Sequence, residues 1–249
     1  MKEQYVVKAN ALIRKTRYNL TTQQQKIVLF AISKIHKGDA PFTVYRISLE
    51  ELCKACGLDY DAGGYYYHAI REDLQKLTKR EWCTLPDKTE MTISWIGDAK
   101  CEPGSGFVDI RFNPNMEPYL FDLKEKFTMY KLENVLILKN KYAIRLYEII
   151  RSYTTQKDID EGNEKEVMLS LDELKEMLDV QAYNTWYDFD RYVIKKAIDE
   201  INECSDEIHI TYEPYKVGKA VKKINFIIGT PRAADMLKAK MEKKRRRRS

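Results

Sequence analysis

Residues 186–226 read WYDFDRYVIKKAIDEINECSDEIHITYEPYKVGKAVKKINF, and the rest of the chain is best understood from them. Over residues 188–203 the apolar side chains Val193, Ile194, Ala197, Ile198 and Ile201 recur at helical spacing. The stretch therefore predicts an amphipathic helix with one core-facing stripe. Asp188, Arg191, Tyr192 and Lys195 fall on the opposite side. Ile208, Ile210 and Tyr212 then alternate, as do Ile224, Phe226 and Ile228, which is strand period. Between these strands lie Lys216, Lys219, Lys222 and Lys223, with no acid from 215 to 223. A helix with a cationic outer face, followed by a hairpin with a cationic tip, predicts a winged helix-turn-helix. Such a helix fits a major groove, and such a hairpin lies along phosphates. The candidate DNA-binding residues are Tyr187, Asp188, Arg191, Tyr192, Lys195 and Lys196 on the helix and Lys216, Lys219, Lys222 and Lys223 on the wing. A solvated lysine face is the plain alternative for the hairpin cluster. Its position after a cationic helix argues for phosphate contact.

Working outward, the chain repeats itself. Ser48-Leu49-Glu50-Glu51-Leu52 and Ser170-Leu171-Asp172-Glu173-Leu174 are near-identical and lie 122 residues apart. Each has the S-x-x-E spacing that caps a helix. Each follows a long helical pattern and a short strand, and each precedes a loop, an amphipathic helix and a hairpin. The expectation is an α+β, mainly helical chain: two tandem winged helix-turn-helix domains related by an internal repeat. Asn113-Pro114-Asn115-Met116-Glu117-Pro118 is the expected boundary, because two prolines interrupt a regular element. That gives a first domain over 1–116, a second over 117–231 and a basic tail over 232–249.

The remaining elements are read more coarsely. A short helix is expected over 10–15, and Thr21-Thr22-Gln23-Gln24 caps a helix running to about Ile35. Residues 43–47 predict a strand, and residues 65–78 a helix burying Tyr67, Ile70, Leu74 and Leu77. Residues 91–95 and 107–112 predict strands joined through the turn at 102–106. Helices are expected over 132–138 and 141–153, a polar loop over 154–166 and a strand over 167–169. The first hairpin mixes Asp98, Glu102 and Asp109 with Lys100 and Arg111, so only the second copy is charged for DNA. The first copy is left with dimerisation and weak backbone contacts.

Composition bounds the function. The net charge is +5, but residues 232–249 hold nine Lys/Arg and two Asp/Glu, which leaves the body at −2. Any nucleic-acid binding by the body must use local patches. No run of about 18 apolar residues suggests a membrane span, and the charged start suggests no signal peptide. The five cysteines are odd in number and irregularly spaced, so a reducing cytoplasm is expected. Cys53-Lys54-Ala55-Cys56 has C-x-x-C spacing but no partner pair, which favours buried thiols over a metal site. His36, His68 and His209 are isolated, so the His pair of a metal-dependent DNA nickase is missing. Gly218-Lys219-Ala220 lacks the rest of a P-loop. No enzyme activity, cofactor or metal is expected. Lys243 to Arg248 form a run of like charge, expected to be disordered and to add phosphate attraction or solubility.

Several motifs carry a resemblance. Tyr18-Asn19-Leu20-Thr21, followed by Gln25-Lys26 and Ala31-Ile32-Ser33-Lys34-Ile35, resembles the opening of the theta-type plasmid replication initiators, the initiator replication or RepB-type family. Tyr142-Ala143-Ile144-Arg145-Leu146-Tyr147-Glu148 is similar to that family's Y-x-x-R-L-Y-E helix. So are Val193-Ile194-Lys195-Lys196-Ala197-Ile198-Asp199-Glu200-Ile201-Asn202 and Lys216-Val217-Gly218-Lys219 to its reading helix and wing. The resemblance runs from about Asn10 to Ile228. It implies binding of double-stranded DNA at directly repeated origin sequences (iterons) as a monomer. It also implies a homodimer, in equilibrium with monomer, that represses at an operator inverted repeat, and recruitment of a host replication initiator and helicase. The expected location is the bacterial cytoplasm, on DNA. A winged-helix transcriptional regulator without a replication role is the alternative.

Overall fold

The computed structural model describes residues 3–60, 64–79, 81–84, 90–102, 104–180 and 182–231. The expected tail over 232–249 and the side chain of Cys83 lie outside them. The chain divides into two compact units, Met1–Lys141 and Tyr142–Ser249.

The first unit begins with β1 (Tyr5–Ala9), α1 (Asn10–Arg14) and α2 (Thr22–Ile32). Thr21 and Gln24 form the expected reciprocal capping box, and every residue of α2 from Gln24 to Ile32 is buried. A helix buried all round must satisfy its polar residues internally. The Gln24 amide donates to Asp73 at 3.0 Å, and the Gln25 amide donates to the carbonyls of Leu20 and Lys141, each at 3.2 Å. Next come β2 (Val44–Ser48), α3 (Leu49–Cys56), α4 (Tyr65–Leu77), β3 (Glu81–Thr84), β4 (Glu90–Ile93), β5 (Ile96–Cys101) and β6 (Phe107–Phe112). The unit ends with α5 (Glu117–Leu120), β7 (Phe127–Lys131) and α6 (Glu133–Leu136).

The second unit is built from α7 (Lys141–Tyr153), whose first residue closes the first unit, then α8 (Gln156–Asp160), β8 (Lys165–Ser170) and α9 (Leu171–Met177). A long helix follows in two parts, α10 (Trp186–Phe189) and α11 (Lys195–Cys204), and the hairpin β9 (His209–Val217) and β10 (Ala220–Gly229) completes it.

The repeat is real at the level of topology. With the β3–β4 hairpin of the first unit and α8 of the second set aside, α2 to β6 and α7 to β10 both run helix, strand, helix, helix, strand, strand, and their antiparallel sheets have matching orders, β2-β6-β5 and β8-β10-β9. In each sheet the last strand is central. A serine ends β2 and another ends β8, and each caps the next helix: Ser48 accepts from the Glu51 N–H and Ser170 from the Glu173 N–H. These are two tandem winged-helix domains. Ile47, Leu52, Ile70, Leu74, Val108 and Ile110 fill the first core, and Leu169, Leu174, Ile198, Ile210, Ile224 and Phe226 the second.

Four expectations differ from what forms. Residues 113–118 start a 3₁₀ turn and α5 instead of separating the units. Pro114 and Pro118 sit in the first turn of each element, where a missing N–H costs nothing. The chain then stays in the first unit because β7 pairs antiparallel with β1, Tyr5 opposite Lys131 and Ala9 opposite Phe127. The strand leading into the 102–106 turn is β5, while β4 pairs with an unforeseen β3. Residues 154–166 contain α8, capped by Thr155 and Asp158 in a reciprocal box. Tyr67 is half-buried in α4, and the buried fourth position is taken by Asp73.

Cys53 is buried and Cys56 half-buried, and both are free thiols. Burial pushes the first up to about 11 and the second up to about 12. Among the described residues no helix is long and apolar enough to cross a membrane.

Candidate nucleic-acid interface

The long helix of the second unit is not α-helical throughout. Between α10 and α11 lies a π turn, Asp190–Ile194, in which the Lys195 N–H donates to the Asp190 carbonyl. One inserted residue widens the turn, and such segments concentrate at functional sites. Phe189, Val193, Ile194, Ala197, Ile198 and Ile201 are buried, while Arg191, Tyr192, Lys195 and Lys196 are exposed. The stripe expected from the sequence is therefore formed, and the π turn carries Arg191 and Tyr192 on its outer side.

Each expected residue of the helix has a definite setting. Asp188 sits in the first turn under the Thr185 cap: its N–H donates to the Thr185 hydroxyl at 3.1 Å, and that hydroxyl donates to its carboxylate at 2.6 Å. A negative charge in the first turn suits the helix dipole, so this acid stabilises the helix. Tyr187 is exposed, and its hydroxyl accepts from Arg191 at 3.2 Å. The Arg191 guanidinium lies 6.0 Å from the Tyr187 ring centre and 5.5 Å from that of Tyr192. Lys196 lies over the Tyr192 ring at 5.5 Å. Lys195 pairs with Asp199 at 2.7 Å, and that hydrogen bond raises its pKa.

The wing is the β9–β10 hairpin. Val217 pairs with Ala220, leaving a two-residue turn, Gly218-Lys219. Gly218 has φ +62 and Lys219 is not left-handed, which is the II′ pattern with glycine first. A bulge between Val221 and Lys223 breaks the two-residue period. Val221 and Ile224 stay buried while Lys222 and Lys223 are both exposed. Lys216 and Lys219 are exposed as well. The four lysines thus share the tip, the hairpin's carboxylate Glu213 lies farther down opposite Asn225, and the Asn225 amide donates to Glu166 of β8 at 3.1 Å.

Sequence reasoning assigned no structural role to several further side chains. Tyr183 stacks on Tyr192 with ring centres 5.8 Å apart and an 18° tilt. The Tyr212 hydroxyl donates to Asp190 at 2.5 Å and ties the base of the wing to the π turn. Burial, then that bond, raise the Tyr212 pKa. Arg145 and its neighbours hold the scaffold: Arg145 Nε donates to the carbonyl of Met177, the last residue of α9, at 3.2 Å. Arg151 pairs with Glu207 at 3.2 Å, and Glu207 accepts from the Tyr147 hydroxyl at 2.6 Å. The buried charges of α7 thus grip the end of one helix and the approach to the wing. The alternation around Tyr212 and the Y-x-x-R-L-Y-E motif that holds Arg145 and Tyr147 were the hints the sequence offered.

The matching elements of the first unit are electrically different. Charges of its sheet pair with one another, Arg111 with Asp98 across the wing at 3.6 Å and Arg46 of β2 with Asp109 at 3.5 Å. On α4, Lys76 pairs with Glu72 at 3.4 Å.

Comparison with known proteins places this geometry. Residues 5–151 match the family described as Initiator Replication protein, WH1, and residues 170–228 match Initiator Rep protein, WH2. The chain belongs to the initiator replication protein family. A curated relative, "Replication initiation protein" of Escherichia coli, is 30% identical over 220 residues, which are 83% of this chain and 64% of the relative. The chain thus spans a little under two thirds of that protein. A crystal structure of Pi initiator protein in complex with iteron DNA superposes with a TM-score of 0.72 at 21% identity, covering 92% of this chain and 98% of that one. Its fold is the fold found here. Within the initiator family's second winged-helix segment fall all ten residues expected on the helix and wing.

Proposed function

We propose that this chain is a sequence-specific DNA-binding initiator of plasmid replication. The second unit reads the site and the first contributes a dimer interface and weak backbone contacts. The observation that carries the reading is the pairing, in one unit, of an Arg191–Tyr192–Lys196 helix face with a four-lysine wing tip. The planar guanidinium suits base edges, and the flexible lysines suit phosphates. Family membership and the iteron-bound relative support origin repeats as the target. In this reading a monomer binds the repeats, and a homodimer represses at an inverted repeat. Binding energy helps to bend and open adjacent duplex, and a host initiator and helicase are recruited. The proposal assigns no bond chemistry to the chain and places it in the bacterial cytoplasm.

Selection of bound duplexes from a random pool tests it. Recovery of a motif that recurs as tandem direct repeats in the native replicon is the expected result. A motif confined to promoters, with plasmid maintenance unaffected by loss of the protein, would make the chain a regulator only. Cleavage of supercoiled plasmid with Mg²⁺ or Mn²⁺ would contradict the non-catalytic assignment.

A further inference from the structure

The hairpin of the second unit is hydrogen-bonded to its long helix at Asn202 and at Asp190. Near the end of α11, the Asn202 amide donates to the Ile210 carbonyl at 2.8 Å, and its oxygen accepts from the Ile210 N–H at 2.7 Å. Asn202 thereby holds both backbone groups of one residue of β9, an edge strand. Two residues further along β9, the Tyr212 hydroxyl donates to the Asp190 carboxylate at 2.5 Å. Asp190 opens the π turn, and its carbonyl accepts from the Lys195 N–H. Tyr212 is half-buried, and its ring centre lies 6.4 Å from that of the buried Phe226. From Glu213 to Val217 the strand is exposed, so Tyr212 stands where β9 leaves the body of the unit.

Buried Val221, Ile224 and Phe226 hold the hairpin on the core, but hydrophobic contact has no direction. Hydrogen bonds do have one, and one to a carboxylate is among the stronger kinds. The Asn202 contact fixes one point of β9 on the helix, which leaves the direction of the strand open. The Tyr212–Asp190 bond fixes a second point, near the start of the same helix, and two points set a direction. That direction is the angle between the wing and the helix face that carries Arg191. A wing that has to be ordered when DNA binds loses affinity, and a wing already ordered does not. We propose that Asp190 and Tyr212 are a positioning pair, whose bond presets the wing so that its four lysines meet phosphates when Arg191 meets its base. The inference rests on the DNA reading proposed for this unit. It also gives a role to an acid that adjoins Arg191 and would otherwise only repel phosphate.

Two measurements on the full chain test it: binding to the selected site and to a scrambled duplex, and residual dipolar couplings of the wing amides in the DNA-free protein. Tyr212→Phe should lower the preference for the selected site roughly tenfold, the scale of one hydrogen bond to a charged group, and leave the scrambled duplex nearly unchanged. Asp190→Ala combined with Tyr212→Phe should lower it no further, because both exchanges remove the same bond. This double variant leaves neither partner covered and unsatisfied, so it should unfold thermally near the unaltered chain even where Tyr212→Phe alone does not. Asp190→Asn keeps an acceptor and should keep the preference. In the free protein the wing couplings should shrink relative to those of the core in Tyr212→Phe and in the double variant, but not in Asp190→Asn. An unchanged preference in Tyr212→Phe, a preference restored in the double variant, or an equal loss in Asp190→Asn overturns the proposal. If the unaltered chain selects no duplex at all, the DNA reading fails on its own account. The couplings then decide alone, and wing couplings unchanged in Tyr212→Phe would show that the bond does not set the wing.

Discussion

Arg191 shows how a single side chain is prepared by its neighbours. The Tyr187 hydroxyl accepts from it, the Tyr187 and Tyr192 rings flank it, and Tyr183 backs Tyr192 by stacking. A guanidinium steadied in this way loses less rotamer freedom when it meets a guanine edge. Tyr192→Ala removes the support and leaves the fork. We expect it to lower the preference for the selected site over a scrambled duplex by about 0.5–1 kcal/mol, the range of an exposed cation–π contact. Competition binding with the two duplexes measures this, and an unchanged preference would show that the ring does not steady Arg191. At this scale the sequence was legible where period alone governs, as in the Val193 to Ile201 stripe. Asp190 and Tyr212 are 22 residues apart, and their bond depends on where a strand lands against a helix. No spacing rule gives that.

Among the elements, the two serines that end one strand and begin one helix are the joints of the repeat. Ser48 lies opposite Phe107 and Ser170 opposite Lys223, so each fixes a helix onto the central strand of its own sheet. Replacing either by alanine removes a side-chain acceptor from a helix N-terminus and should cost about 1 kcal/mol. Urea unfolding should show a lower midpoint at unchanged slope. A change in slope would mean that the exchange altered more than the cap. The wing turn makes a separate prediction. Gly218 holds a left-handed φ of +62 in open space, so Gly218→Val meets no clash but strains the backbone by about 1–2 kcal/mol. The hairpin tip should fray, with faster amide exchange at Lys216 and Lys219 and weaker binding to every duplex alike. Helix caps and turn residues were readable because they are local chemistry. The π turn was not, because it inserts one residue into a helical stripe that stays apolar. The β1–β7 pair was also hidden, since its strands are short and more than a hundred residues apart.

For the whole molecule, the division at Lys141 gives a sharper dissection than a cut at the prolines. A fragment of residues 138–249 retains α7 with its buried Arg145, Glu148 and Arg151 and the complete second winged helix. We expect it to unfold cooperatively in urea, to stay monomeric in sedimentation and to keep sequence preference. A fragment from residue 117 carries β7 without β1, and an unpaired strand edge should make it self-associate. If the shorter fragment folds but treats all duplexes alike, the division of labour between the units is wrong. The repeat made the two-domain plan legible, because matching serine-led segments in matching order survive any uncertainty about single elements. The boundary was not legible, because proline both ends and begins helical turns. The central claim is that the helix reads bases and the wing holds phosphates, and one experiment separates the two. Binding of the full chain, Arg191→Ala and Lys219→Ala is measured on the selected site and on a scrambled duplex at several salt concentrations. Arg191→Ala should lose about 1–3 kcal/mol of discrimination at one or two base positions. Lys219→Ala should weaken both duplexes nearly alike and flatten the slope of log K against log salt by about 1. If Lys219→Ala changes base preference while Arg191→Ala does not, the wing is the reader and the assignment of the helix to the groove is contradicted.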